Sequence, residues 1–139
     1  MKDQTSHASL VGTAEIGFVD QVLDAVEDLC SAPRDISDED RTFFSLAVSE
    51  VVTNIVTHCD QDSGVTVRAD LAVNQETLRA QFHDDAKPVD IPLDEAVMPE
   101  ELAESGRGLA IAKMALDELS HKVNDGHIWT LVRNRRPTR

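Results

Sequence analysis

A chain of 139 residues, 41% hydrophobic and 28% charged, is long enough for one domain with a single core and too short for two. Its 26 acidic residues against 13 basic ones give a formal charge of −13, which repels nucleic acid and anionic membrane alike, so a direct nucleic-acid or membrane partner is disfavoured. Arg133, Arg135, Arg136 and Arg139 crowd into the last seven positions and form a basic tail over 133–139, which leaves nine basic residues in the first 132. No apolar run approaches the ~20 residues that span a bilayer. Met1 to Leu10 also lacks the apolar core of a signal peptide, so a cytoplasmic protein is expected. Cys30 and Cys59 are too few for a disulfide scaffold and have no metal-ligand company at short spacing; they are expected to be reduced structural thiols.

Ser6 to Val11 has room for an extra strand. Val19, Val22, Leu23, Val26, Leu29 and Cys30 then share one face at helical spacing, with Asp20, Asp24, Glu27 and Asp28 on the other, which predicts an amphipathic helix. Ser31 to Ser37 contains Pro33 and reads as a connector. Ser37 can cap a second helix whose first turn sets Asp38, Glu39 and Asp40 against the positive dipole end. That helix runs to about His58. Phe43, Phe44, Ala47, Val48, Val51, Val52, Ile55 and Val56 cover more than half its circumference, so most of it should be buried. Val65, Val67, Ala69 and Leu71 alternate with polar residues, as do Leu78, Ala80 and Phe82; with a turn at Asn74 to Glu76 they predict a β-hairpin. Regular pattern is absent from Asp84 to Arg107, where Pro88, Pro92 and Pro99 fall, so a long loop is expected there. Leu109 to Leu119 reads as a third helix preceded by a glycine pair. A second hairpin, His121 to Asn124 and His127 to Val132, turns at Asp125-Gly126. This order suggests helices covering one face of a mostly antiparallel sheet.

Three segments could carry chemistry. Glu50, Asn54 and His58 recur at i, i+4, i+8 on the apolar second helix and form one polar line along it. Because an unpaired buried polar group costs roughly 1–3 kcal/mol, these side chains either bond a neighbouring loop or solvent at the helix edge, or line a wet pocket that holds a ligand. His83-Asp84-Asp85-Ala86-Lys87-Pro88-Val89-Asp90 ends a strand in paired carboxylates, which serve as a turn former or a site. Ser105-Gly106-Arg107-Gly108-Leu109 opens the third helix; its glycines let backbone approach a ligand, and free N–H groups at a helix start attract phosphate, though simple loop termination uses the same residues.

In order and spacing, Glu-xxx-Asn on a helix, an Asp-rich strand end followed by Pro, a long loop and Gly-x-Gly-Leu before a helix resemble the N, G1 and G2 boxes of the GHKL ATPase superfamily, which includes gyrase, heat-shock protein 90 chaperones and sensor histidine kinases. The phrase from Leu46 to His58, and Gly106-Arg107-Gly108-Leu109 followed by Leu116-Asp117-Glu118-Leu119, are most similar to the anti-sigma-factor serine/threonine kinases. The resemblance covers roughly residues 10 to 135. It implies one ATP-binding kinase domain over 1–139, in class α+β: a Bergerat-type two-layer α/β sandwich with three main helices on one face of a mostly antiparallel mixed sheet. It implies that Asn54 holds Mg²⁺ through its amide oxygen, that Glu50 is the catalytic base and that Asp84 accepts the adenine amino group. Ala86, Gly106, Arg107, Gly108 and Leu109 would also meet the ATP, under a lid formed by the long loop. Implied partners are a STAS-domain anti-sigma-factor antagonist, a sigma factor and a second copy in a homodimer.

Two positions depart from that pattern. Ala86 stands where glycine usually follows the G1 aspartate, and His127-Ile128 follow Gly126 where a threonine often assists that aspartate. These departures motivate the alternative of a partner-switching module that captures a regulator with weak or no kinase activity. The catalytic half of a sensor histidine kinase is a third option, disfavoured by the absence of a phosphoacceptor histidine helix pair. No Walker A lysine motif occurs.

Overall fold

The computed structural model describes residues 5–31, 36–58, 64–86, 103–123 and 125–136. In chain order the elements are β1 (Ser6–Thr13), α1 (Ile16–Ser31), α2 (Asp38–His58), β2 (Thr66–Val73), β3 (Thr77–Asp84), α3 (Ala103–Ala115), β4 (Glu118–Val123) and β5 (His127–Asn134). The strands form one sheet in the order β1-β2-β3-β5-β4. Every pairing among them is antiparallel, in keeping with the expected mostly antiparallel sheet, and no parallel pair that would make it mixed occurs among the described residues. Each of the pairs β2-β3 and β4-β5 is closed by a short hairpin turn and needs no crossover.

Alternation along the strands decides which face is covered. Val67, Ala69, Leu71 and Val73 of β2, Leu78, Ala80 and Phe82 of β3, and Trp129 and Leu131 of β5 are all buried and point to the same side. α1 packs there over β1 and β2, α2 over β3 and β5, and α3 lies beside α2 and against β4. α2 is the central layer: Ala47, Val48, Val51 and Val52 are fully buried. Each such side chain, moved out of water, contributes roughly 1.5–3 kcal/mol before entropy is set against it, less for alanine.

Local chemistry fixes the element ends. Ser37 Oγ accepts the Asp40 N–H at 3.0 Å and Ser37 O accepts the Arg41 N–H at 3.0 Å, the expected N-cap of α2. Asn74 Oδ1 accepts the N–H groups of Glu76 and Thr77 at 2.8 and 2.7 Å and closes the first hairpin. In the second hairpin Asp125 and Gly126 have φ of 56° and 131°. A Cβ on Gly126 would collide with the backbone oxygen of Asp84, so this turn tolerates glycine alone.

The third helix departs from expectation at both ends. It runs from Ala103 to Ala115, so Gly106 and Gly108 lie inside it rather than before it, and the long loop ends earlier; residues 87–102 are outside the described residues. Glycine costs ~1 kcal/mol inside a helix, and it is tolerated here because α3 packs closely on α2. At the other end Leu119 pairs with Leu131 in β4, and the Asp117 N–H donates to Val132 O at 2.8 Å, so strand pairing captures residues that helical spacing also fits.

Of the basic cluster at 133–139, residues 137–139 are outside the described residues, and the others are bound into the fold. Arg133 sits in β5 and is buried with Asp40 of α2, Nε donating to Oδ1 at 2.8 Å. Its Nη1 donates to Ala115 O at 2.8 Å, and its guanidinium lies 5.0 Å over the Phe43 ring. The Arg136 N–H donates to Asp40 Oδ2 at 2.8 Å, its side chain pairs with Asp117 at 3.0 Å, and Arg135 Nη1 donates to Asn74 O at 2.8 Å. One buried carboxylate thus ties β5 to the start of α2, and its arginine partner reaches the end of α3. Cys30 is buried and burial pushes its thiol up; Cys59 is outside the described residues. No helix among the described residues is long and apolar enough to cross a membrane.

Replacing Asp40 by leucine strands the Arg133 guanidinium in the interior, and the expected loss is about 3–5 kcal/mol. Urea unfolding measures it, and a loss below ~1 kcal/mol would show that Arg133 finds water or another acceptor.

Candidate active site

Glu50 and Asn54 occupy successive turns of α2 and are half-buried on a helix whose neighbouring positions, Val51, Val52 and Ile55, are buried hydrocarbon. The expected polar line therefore exists over its first two members; the His58 side chain lies outside the described ones. Across from it, Gly108 of α3 is buried, and a Cβ built there would lie 2.5 Å from Glu50 Oε1. The carboxylate rests on bare backbone. Any side chain at position 108 displaces it, and this juxtaposition joins two segments 58 positions apart in sequence.

The remaining expected residues divide by place. Arg107 is exposed, Leu109 is buried in the core, and Gly106 lies in the first turn of α3. Asp84, the last residue of β3, points to the helix-covered face and is 7% exposed. Its Oδ1 accepts the Ala86 N–H at 3.1 Å, so Asp84 and Ala86 form one small turn, with Ala86 half-buried against the core. Burial pushes the Asp84 carboxyl above the usual carboxylate range; the Ala86 N–H and the nearby His127 oppose the shift. Asp85 turns the other way and accepts the Thr66 N–H at 2.8 Å.

Beside Asp84 in the ladder stands His127, 6% exposed and also on the covered face. Its Nδ1 lies 2.6 Å from Nε2 of His121, whose ring is tilted on Trp129 at 4.4 Å between centroids. From the sequence, His127 is marked only as a strand start standing where a threonine is usual, and His121 only as the start of a strand. The signal available was their inward parity in the last hairpin, which places both on the face that carries Asp84.

Two surface clefts border other residues. One of about 260 Å³ lies at the end of β2, β3 and β5 and is lined by Thr66, Arg68, His83 and Ile128 of the uncovered face together with Asp84 and His127. The other, about 580 Å³, runs between α1 and α2 past Leu23, Cys30, Arg41 and Leu46. Neither is lined by Glu50, Asn54 or Gly108. Among the described residues no group of three His, Cys, Asp or Glu is placed to hold a metal ion, so a cation here would rely on Asn54, water and a bound ligand's oxygens. What the arrangement offers is a carboxylate and an amide on one helix, glycine backbone across from the carboxylate, and a second, buried carboxylate at the sheet end.

Comparison with known proteins bears on the family and the fold. The model of the histidine kinase-like ATPase domain family matches residues 13–133. Among solved structures, the RsbU and RsbW domains of Rv1364c from Mycobacterium tuberculosis superpose with a TM-score of 0.65 at 23% identity, over 96% of this chain and 34% of that one. The histidine kinase domain of the blue-light activated histidine kinase EL346 from Erythrobacter litoralis superposes with a TM-score of 0.57 at 19% identity, over 84% of this chain and 59% of that one. The chain therefore spans less than two thirds of either structure, and the likeness to them is one of fold. No curated protein sequence matches. With the family model covering residues 13–133, most of the sequence, the chain belongs to the histidine kinase-like ATPase domain family, within the GHKL superfamily.

Proposed function

We propose that this chain is an anti-sigma-factor serine/threonine protein kinase that binds Mg-ATP, phosphorylates a STAS-domain anti-sigma-factor antagonist and sequesters a sigma factor. The observation that carries the reading is the Glu50 carboxylate laid against Gly108, with Asn54 one turn further along α2. The residues fit a magnesium nucleotide: a Cβ at 108 would fill the cradle, and Asn54 supplies the hard oxygen that Mg²⁺ prefers. When bound, magnesium neutralises phosphate charge and fixes its orientation.

In this reading Glu50 accepts the proton of the attacking serine or threonine hydroxyl as its oxygen bonds the γ-phosphorus and the bond to the β-phosphate oxygen breaks. Asp84 accepts the amino group of adenine, where guanine would present a carbonyl. Gly106 and Gly108 give α3 backbone close access to phosphate, Arg107 adds a charge, and Leu109 anchors the segment in the core. A net charge of −13 suits capture of a basic, nucleic-acid-binding protein such as a sigma factor. The homodimer belongs to the same reading. A second reading, partner capture with weak or no phosphoryl transfer, draws support from Ala86, whose methyl packs on the core beside Asp84 where glycine would leave space for a base.

With Mg-ATP and its antagonist, Glu50→Gln should lower transfer by about 10²–10⁴-fold while Mg-ATP binding changes by less than about threefold. Equal transfer by the two proteins would remove Glu50 as the base, and tight partner capture without any transfer by the unsubstituted chain would favour the second reading. Asp84→Asn should weaken ATP binding by about tenfold or more, the worth of a hydrogen bond to a charged group at about 1.5–3 kcal/mol, and narrow the preference for ATP over GTP in calorimetry. An unchanged preference would place the base elsewhere.

A further inference from the structure

The covered face of the sheet is hydrocarbon across its middle rows and polar at its ends. At one end Arg133 is matched by Asp40; at the other stand Asp84, His127 and His121. His127 is the ladder partner of Asp84, and both are more than nine-tenths buried. The His121 and His127 rings are 25° from coplanar with centroids 4.9 Å apart, and Nε2 of one lies 2.6 Å from Nδ1 of the other, an edge-to-edge bond rather than a face stack. Two nitrogen lone pairs cannot meet at that distance. One proton must lie between them, so one ring donates, the other accepts, and the tautomer of each is set by the other. Trp129 packs on His121 and holds its ring in place.

We propose that the His121–His127 pair is a positioning element for Asp84: a one-proton bridge that fixes the His127 ring and tautomer beside the carboxylate and so orients Asp84 toward the amino group of a purine. This rests on the nucleotide-binding reading of Asp84. A base recognised by one acceptor depends on where that acceptor points, and a ring whose far nitrogen is fixed as donor or acceptor constrains its neighbour as a freely rotating group does not. A shared proton would make proton uptake by one ring depend on the other. A further proton on the pair would make it a cation beside Asp84 that competes with the base for the carboxylate, so binding should weaken as pH falls. Among the described residues, the ionisable groups around the pair include His83, Asp85, Asp125 and Arg68, which line the same cleft, Lys122 on the opposite face of β4, Glu50 of α2, and Arg107 and Lys113 of α3.

The test uses the full chain and three proteins: unsubstituted, His121→Phe, which keeps a ring against Trp129 and removes the bridge, and His121→Gln, which restores a hydrogen-bonding group that does not titrate. Thermal unfolding and imidazole nitrogen NMR without nucleotide come first. The expected result is complementary tautomers and one shared titration step, both lost in His121→Phe while a cooperative unfolding transition persists. Binding of Mg-ADP and Mg-GDP is then measured from pH 6 to 8, where comparison at each pH cancels the nucleotide's own titration. His121→Phe should bind ADP about tenfold more weakly at pH 8 with a reduced preference over GDP. His121→Gln should regain most of that affinity and show a flatter pH profile. If the unsubstituted chain binds ADP and both variants match it in affinity, preference and pH profile, the positioning role is overturned while the nucleotide reading stands. Independent titration of the two rings overturns the bridge itself, and no ADP binding by the unsubstituted chain overturns both.

Discussion

The contact between Glu50 and the backbone of Gly108 is the constraint from which the rest of the molecule is best understood. It brings a carboxyl group of a buried helix against a second helix at a position where that helix has no side chain. The cost is visible on both sides: a half-buried carboxylate among valines, and two glycines inside a helix that each weaken it by ~1 kcal/mol. Together they leave backbone and carboxylate facing one another with no methyl group between, a geometry suited to a phosphate-bearing ligand and unsuited to a tightly filled core.

The covered face of the sheet repeats this division between what folds and what acts. Its middle rows, from Val67 through Phe82 to Trp129 and Leu131, are closely packed hydrocarbon and supply the driving force. Arg133 and Asp40 close one end, bonded to each other, tying β5 to α2 while Arg133 reaches the end of α3; removing either partner would leave the other's charge buried without its counter-ion. Asp84, His127 and His121 occupy the other end. The polar groups at the first end are consumed by the fold, whereas those at the second lie where β3 runs out and the chain leaves toward the segment that precedes α3.

Much of this is legible from single positions. Valines and alanines at helical spacing along α2, and strict alternation in β2 and β3, mark buried surfaces directly, because burial is set by residue type and period. Ser37 and Asn74 mark the cap and the turn because their side chains bond backbone a few residues away. The start of α3 is hidden because glycine predicts a break, and only packing against a helix far away in sequence reverses that preference. The start of β4 is hidden because Leu116 and Leu119 fit a helix as well as a strand, and pairing with β5 decides. Arg133 belongs to a cluster that reads as a solvated tail; nothing local shows that its partner is Asp40, 93 positions earlier. Glu50 and Asn54 stand out as a polar line on an apolar helix, but only the order of motifs groups them with Asp84 and Gly108, and the His121–His127 bond emerges only when two strands are set in register.

The most direct measurement is a backbone and side-chain amide NMR titration of the full chain with Mg-ADP. The expected result is that the amides of Asp84 to Ala86 and Gly106 to Leu109 and the Asn54 side-chain amide shift together and saturate on one binding curve. Saturable shifts confined to the groove between α1 and α2, around Leu23, Cys30 and Thr42, or no saturable shift at all, would contradict a nucleotide cradle built on Glu50, Asn54 and Gly108.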